Sequence, residues 1–325
     1  VDGGALRGRD ARRPPSRSST RNPASTLTSG AGKETGAMAS AAASPMGFTK
    51  IPKIIHQTWK TSAVPQWALP TTQSWRDLNP GYTYRMWDDA SAERLIREQY
   101  PELVPAFEEH MAPVQRADVF RYAVVHAYGG VYADIDVRCD VPVDDWLRHD
   151  LFNLDMVLGW EALSNADAVR RKHFAVEYQL CQWTFAAAPG NWLLRAVIDD
   201  IVAYYDRKMH EASASIIRST GPGMFSSAIQ RALKSRFNVT FGEYPLTKDE
   251  MQGSGAARHM HVGQTMILPL ESFGFRSGVR NGGTGAHRLV THGFRGSWKA
   301  AYKEKKAAIK AAKVAETVES GSANT

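Results

Sequence analysis

Apolar residues along this chain switch repeatedly between a two-residue and a near-four-residue period, and each switch marks an element. The stretch Pro52 to Trp59 is short, apolar at its centre and rich in β-branched residues, which predicts a first buried strand whose end faces a ligand. Residues 66 to 78 read as a helix, Asn79-Pro80-Gly81 as a turn and Tyr82 to Trp87 as a second strand. Asp88 and Asp89 then open another helix. From Pro113 to Tyr128 the apolar positions Val114, Ala117, Phe120, Val124, Ala127 and Tyr128 recur at helical spacing, and Gly129-Gly130 supplies a stop. Val131 to Val137 reads as one short strand. Core strands are expected again at Met156 to Trp160, Gln182 to Ala188 and Ile267 to Leu270. Helices are expected over 191 to 209 and from the Thr220-Gly221-Pro222-Gly223 turn onward. This alternation predicts an α/β protein.

Composition sets the frame around that pattern. The chain has 325 residues, of which 43% are hydrophobic and 10% aromatic, ample for a core of its own. Its formal charge of +7 invites a nucleic-acid reading until the charges are located. Residues 1 to 50 carry +5 and residues 299 to 325 carry +3, so the intervening 51 to 298 carry −1. The globular part has no basic footprint, and nucleic acid is excluded as a partner. Residues 1 to 48, rich in Arg, Ser, Pro, Ala and Gly, are expected to form a disordered stem or linker. The basic Ala/Lys-rich 301 to 325 is expected to be a solvated helix and tail. No run of 18 or more apolar residues occurs, so an attachment to a membrane would need an anchor upstream of Val1. Cys139 and Cys181 permit one bridge or two buried thiols, and spacing leaves both open. The acceptor triplet Asn238-Val239-Thr240 leans the reading towards the secretory pathway.

The chemistry is concentrated between Ala117 and Val137. Asp118 and Arg121 lie three apart on the predicted Pro113–Tyr128 helix, so they can pair or jointly address one polar ligand; the plainer alternative is a surface ion pair. The pair Asp134-Ile135-Asp136 follows at the point where a buried strand surfaces, the place where α/β sheets hold ligands. Two carboxylates there suit a hard divalent cation that substrate phosphates complete. The Thr220 to Phe225 turn would present backbone N–H groups to an anion or a sugar hydroxyl. Residues 292 to 298 read as a flexible loop carrying an imidazole, a hydroxyl and an indole.

With Ile51 to Lys60, Arg116 to Asp136, Cys181-Gln182-Trp183-Thr184, Thr220 to Gly223 and His292 with Gly296 to Lys299 in order, the chain resembles the Asp-x-Asp glycosyltransferases of family 32. The similarity is to the fungal type that initiates the α-1,6-linked outer mannose chain of N-glycans. The resemblance covers about Ile51 to Lys299 and implies a GT-A catalytic domain over 49 to 300. That fold is Rossmann-like, with a mixed, mostly parallel central sheet. It also implies a nucleotide-sugar donor with GDP-mannose favoured, Mn²⁺ with Mg²⁺ as the alternative, and retention of anomeric configuration. A glycan acceptor and a Golgi-lumenal setting follow from the same likeness.

Carried over by position, Asp136 would ligate the metal, with Asp134 holding the ribose and the metal shell. His292 would be a late metal ligand, and Asp118 and Arg121 would hold the donor sugar. Trp59 would pack on the nucleobase and Tyr132 would contact the nucleotide or diphosphate. Gly221 and Pro222 would border the donor, and Ser297 and Trp298 would close over the diphosphate. Trp59 and Tyr132 could equally be core aromatics, and His56 reads as a satisfied core histidine. Family members that mannosylate inositol phosphoceramide or use UDP-hexoses are the near alternatives. A non-catalytic nucleotide-sugar or glycan-binding module is the alternative of another class. An Asp-x-Asp phosphohydrolase is disfavoured, because Arg138 stands where a small or β-branched residue is wanted and only Val131 to Ala133 separate the pair from Gly130.

Overall fold

The computed structural model describes residues 50–146, 153–163, 174–208, 215–242, 259–273 and 288–296, all within one compact unit, Met46–Thr325. The expected stem, the Ala/Lys-rich tail, Ser297 and Trp298 lie outside the described residues.

The chain opens as its periodicity predicts. Strand β1 (Ile54–Thr58) leads through a 3-10 turn (Gln66–Ala68) into a helix (Leu69–Leu78), then β2 (Thr83–Trp87) and a second helix (Asp89–Gln99). Asp88 caps that second helix in a reciprocal capping box with Ser91, its carboxylate accepting the Ser91 N–H at 2.9 Å. The helix Pro113–Tyr128 begins with proline, whose missing N–H costs nothing in a first turn. It ends at Gly129, which takes φ +65°. Gly130 follows at φ +100° and starts β3 (Gly130–Ala133); a Cβ there would lie 2.4 Å from the Ile54 carbonyl oxygen. Only glycine lets the chain turn from helix to strand so close to β1.

Next come β4 (Val137–Cys139), β5 (Met156–Leu163), β6 (Tyr178–Leu180) and β7 (Thr184–Ala187). Two long helices (Trp192–Lys208 and Pro222–Phe237) precede β8 (Met260–Val262), β9 (Thr265–Leu268) and β10 (Val290–His292). The main sheet runs β2-β1-β3-β7-β5-β9-β8, with β6 added to β5. β1, β2, β3, β5 and β9 point one way, and β6, β7 and β8 oppose them. With five of its eight strands running one way and helices covering it, this is the mixed central sheet of the expected α/β class. One face packs on the long helices around Phe120, Tyr122, Phe185, Val197 and Phe225. The other packs around Trp75, Trp146, Val157 and Phe273.

One expectation is corrected. Val131 to Val137 is not a single strand: β3 ends at Ala133, and Asp134 to Val137 form a tight turn closed by the Val137 N–H on the Asp134 carbonyl at 2.9 Å. β4 then leaves the main sheet and pairs antiparallel with β10 in a separate two-stranded sheet. Periodicity cannot distinguish one strand from two that join different sheets. Both cysteines are buried free thiols, so no bridge joins Cys139 to Cys181. Burial pushes the Cys139 thiol up to about 12. No helix among the described residues is long and apolar enough to cross a membrane.

Candidate active site

The acid turn sits where β1 and β3 end, and several side chains hold it in place. Gln57, from β1, donates its amide N–H to the Asp134 carbonyl at 3.1 Å and is itself fixed by the Tyr84 hydroxyl at 2.6 Å. The Thr71 hydroxyl, in the first turn of the Leu69–Leu78 helix, donates to the Ile135 carbonyl at 2.6 Å. The Asp134 N–H donates to the Trp183 carbonyl at 2.9 Å. These bonds spend the turn's backbone groups on the protein and leave its two carboxylates aimed outward.

The β4–β10 pairing then delivers the third group. Its register sets His292 opposite Val137, so the imidazole arrives beside Asp136 although 156 residues separate them. His292 Nε2–H donates to Asp136 Oδ1 at 3.1 Å. The ring packs against both Trp183 and Phe294, with centroids 4.4 and 3.9 Å away. The Arg295 N–H donates to Asp136 Oδ2 at 3.0 Å. Burial alone would raise the Asp136 carboxyl, but the bonds and charge from His292 and the Arg295 N–H outweigh it and hold the group below its usual range.

Asp134, Asp136 and His292 each offer a ligand atom within 4.8 Å of the others. Two carboxylate oxygens and an imidazole nitrogen suit Mn²⁺ or Mg²⁺ better than a thiolate-seeking ion. A cation between Asp136 and His292 would replace the proton they now share. Nδ1 would then carry the ring's proton, and this buried atom has no hydrogen-bond partner among the described residues.

Behind the acid turn lies a second, drier layer. Arg121 donates Nη1 to Asp118 at 2.7 Å and Nη2 to Asp134 at 3.1 Å, with side-chain exposures of 6, 2 and 26% for Arg121, Asp118 and Asp134. The surface ion pair weighed as the plainer alternative is therefore excluded; this guanidinium bridges two carboxylates from inside. Asp118 also accepts from Thr220 Oγ1 at 2.9 Å and from Gln182 Nε2 at 3.3 Å. The Tyr122 hydroxyl lies within hydrogen-bond reach of both Gln182 Oε1 and the Thr220 carbonyl and has one proton to donate between them. Three donors occupy three of the roughly four lone-pair sites of Asp118. Arg121 Nε is buried and has no hydrogen-bond partner among the described residues. Burial raises the Asp118 carboxyl to about 6 against the pull of Arg121 and Thr220. Burial likewise raises Asp134, opposed by Arg121 and reinforced by the neighbouring Asp136.

The remaining expected residues fall into place unevenly. Tyr132 is buried in β3, stacked against Phe185, with only its hydroxyl reaching the site, where it donates to Asp134 Oδ1 at 2.8 Å. Trp59 follows β1, half-buried and edge-on to Trp67 with centroids 5.5 Å apart. Gly221 caps the Pro222–Phe237 helix, but its N–H donates to the Ile216 carbonyl at 2.8 Å and Pro222 has none. The turn therefore reaches the site through the Thr220 hydroxyl rather than through these backbone donors. His56 is a satisfied core residue as expected: Nε2–H donates to the Gly129 carbonyl and Nδ1 accepts from Trp87. Burial lowers its pKa to about 4, so it is neutral.

Gln182, Thr220, Tyr122 and Gln57 carry site geometry that sequence reading left without a role. Gln182 and Thr220 stood inside quoted motifs, yet their partner Asp118 lies 64 and 102 residues away.

Residues 65–153 match the glycosyltransferase sugar-binding region containing a DXD motif. The chain is 30% identical over 276 residues to the initiation-specific α-1,6-mannosyltransferase of Schizosaccharomyces pombe, covering 77% of this chain and 64% of that protein. It is 44% identical over 106 residues to inositol phosphoceramide mannosyltransferase 2 of the same yeast, covering 33% of this chain and 31% of the relative. The chain thus spans less than two thirds of the length of either relative. Among solved structures, the PaToxG glycosyltransferase aligns with TM-score 0.41 and 17% identity, over 57% of this chain and 72% of its own.

Proposed function

From the DXD sugar-binding region matched over residues 65–153 we propose that this chain is a glycosyltransferase that transfers a hexose from a nucleotide sugar in a metal-dependent reaction. The observation that carries the reading is the meeting of Asp134, Asp136 and His292, backed by the buried Asp118–Arg121 pair whose guanidinium also reaches Asp134. Mannose from GDP-mannose is the favoured donor and a glycan the acceptor, in line with the names of the relatives. A secretory, Golgi-type setting belongs to the same reading and is favoured by the exposed Asn238 of the Asn238-Val239-Thr240 triplet.

Asp134, Asp136 and His292 would hold Mn²⁺ or Mg²⁺, which when bound supplies Lewis-acid stabilisation of the departing diphosphate. The chain's own residues do the rest. Trp59 offers a half-exposed ring to the nucleobase, and the Tyr132 hydroxyl fixes the Asp134 carboxylate that faces the nucleotide. Arg121 and Asp118 address the donor-sugar hydroxyls. Asp118, ionised above about pH 6, also places negative charge where the sugar develops oxocarbenium character. The acceptor hydroxyl attacks the anomeric carbon on the face the diphosphate leaves and passes its proton to the leaving phosphate oxygen, giving retention. Ser297 and Trp298 belong to this reading as diphosphate contacts outside the described residues.

The test is release of GDP or UDP across a panel of nucleotide sugars, with Mn²⁺ or with chelator, in the native chain and in Asp136→Ala. The reading expects one preferred donor, loss of turnover on chelation, and loss of turnover in a variant that melts at the native temperature. Binding of the nucleotide sugar without turnover would favour the non-catalytic module instead.

A further inference from the structure

We propose that Arg295 is a second cationic ligand of the nucleoside diphosphate, held ready for it on the face of Trp67. The inference rests on reading this centre as a nucleotide-sugar site and adds a residue to which neither motif nor resemblance gave a role.

The chain places Arg295 deliberately. After β10 ends at His292, Phe294 takes φ +47°, a left-handed conformation that side-chain-bearing residues disfavour, and Gly296 takes φ +57°. This tight curl folds the main chain onto the acid turn. The Gly293 N–H donates to the Asp136 carbonyl at 2.9 Å and the Arg295 N–H to the Asp136 carboxylate at 3.0 Å. Arg295 is thereby pinned at the rim of the Asp134, Asp136 and His292 cluster.

Its side chain then does something unusual for a cation beside acids. The guanidinium carbon lies 4.5 Å from the centroid of the Trp67 ring, and among the described residues the group makes no ion pair and no side-chain hydrogen bond. Neighbouring arginines behave otherwise: Arg121 bridges Asp118 and Asp134, and Arg138 and Arg288 both pair with Asp140. Trp67 is a rigid support. It sits in the 3-10 turn that leads into the Leu69–Leu78 helix, meets Trp59 edge-on, and is tied to the acid turn through Thr71. An exposed arginine whose plane is stacked keeps its hydrogen-bonding fork free and loses little freedom when a phosphate arrives.

Charge balance says what the fork is for. Asp118, Asp134 and Asp136 with Arg121 leave the centre at −2, and a divalent cation brings it to zero. A nucleotide sugar then adds two negative charges, and a third appears on the diphosphate as the sugar leaves. Among the described residues, Arg295 is an uncommitted positive charge beside this cluster, and a guanidinium matches two phosphate oxygens at once.

Calorimetric titration of the full chain with GDP and GMP, and with UDP and UMP in parallel, in Mn²⁺ buffer tests this. Arg295→Ala keeps the backbone N–H on Asp136 and leaves the metal ligands untouched. It is expected to weaken diphosphate binding about tenfold to a hundredfold while monophosphate binding changes less than about threefold. Trp67→Leu should reproduce part of the loss, and Arg295→Lys should recover part of it. Diphosphate binding within about twofold of native, or equal losses for mono- and diphosphate, would overturn the role of Arg295 and leave the nucleotide-sugar reading standing. Absence of nucleotide binding by the native chain would overturn both.

Discussion

Arg121→Met isolates the electrostatic logic of the inner layer, because methionine fills the space of the guanidinium's stem while removing its charge. In the native chain Arg121 neutralises Asp118 and Asp134 at 2.7 and 3.1 Å with almost no solvent between them. Even so, burial raises the Asp118 carboxyl from its ordinary 3.8 to about 6, so its ionised form is already held at a cost of roughly 3 kcal/mol at neutral pH. Breaking a buried pair by removing one partner costs about 3–5 kcal/mol, or roughly 6–20 °C in Tm for a domain of this size. That cost depends on pH with a definite sign. The folded pKa of Asp118, about 6 in the native chain, lies above its unfolded value and rises further in the variant, so below about pH 6 Asp118 takes up its proton in both folded chains and contributes little to the difference. The gap opens as pH rises above the native folded value and is complete only above the variant's higher one. Thermal melts in metal-free buffer should therefore show a small gap between native and Arg121→Met at pH 5 and a gap several degrees larger at pH 8, approaching the stated size as pH rises further. A gap equal at both pH values, or under about 2 °C at pH 8, would refute the buried-bridge account.

Further outcomes follow from the same geometry. The acid limb of the pH–rate profile should fall near pH 6, where Asp118 takes up its proton. Thr220→Val, which removes a donor to the carboxylate, should move that limb upward, whereas Thr220→Ser should restore it. Gly130→Ala should lower stability by about 2 kcal/mol or more in denaturant titration, since φ is +100° and the new Cβ would meet the Ile54 carbonyl oxygen at 2.4 Å. Tyr122→Phe, which removes the one buried O–H shared by the Gln182 and Thr220 carbonyl oxygens, should cost about 1–3 kcal/mol and raise KM for the donor more than a remote substitution of equal stability cost.

Local signals read well in this chain. The β-α-β opening, the Pro113–Tyr128 helix with its Gly-Gly stop and the Asp88 cap follow from spacing and capping chemistry that act within a few residues. The i,i+3 relation of Asp118 and Arg121 was visible for the same reason, but their burial was not, because it depends on Gln182 and Thr220 arriving from far along the chain. The break at Ala133 was hidden by apolar residues that continue into β4. It matters, because only a separate β4–β10 ribbon brings His292 to Asp136. The imidazole was expected at the metal through resemblance; the strand pairing and the packing of the ring on Trp183 and Phe294 give the physical cause.

The central claim is that Asp134, Asp136 and His292 hold a divalent cation against a nucleotide diphosphate. Anomalous diffraction from crystals grown with Mn²⁺ and GDP tests it most directly. A manganese peak in contact with Asp136 and His292 and with the diphosphate oxygens is the predicted result. Bound GDP with no manganese beside these three residues would contradict it.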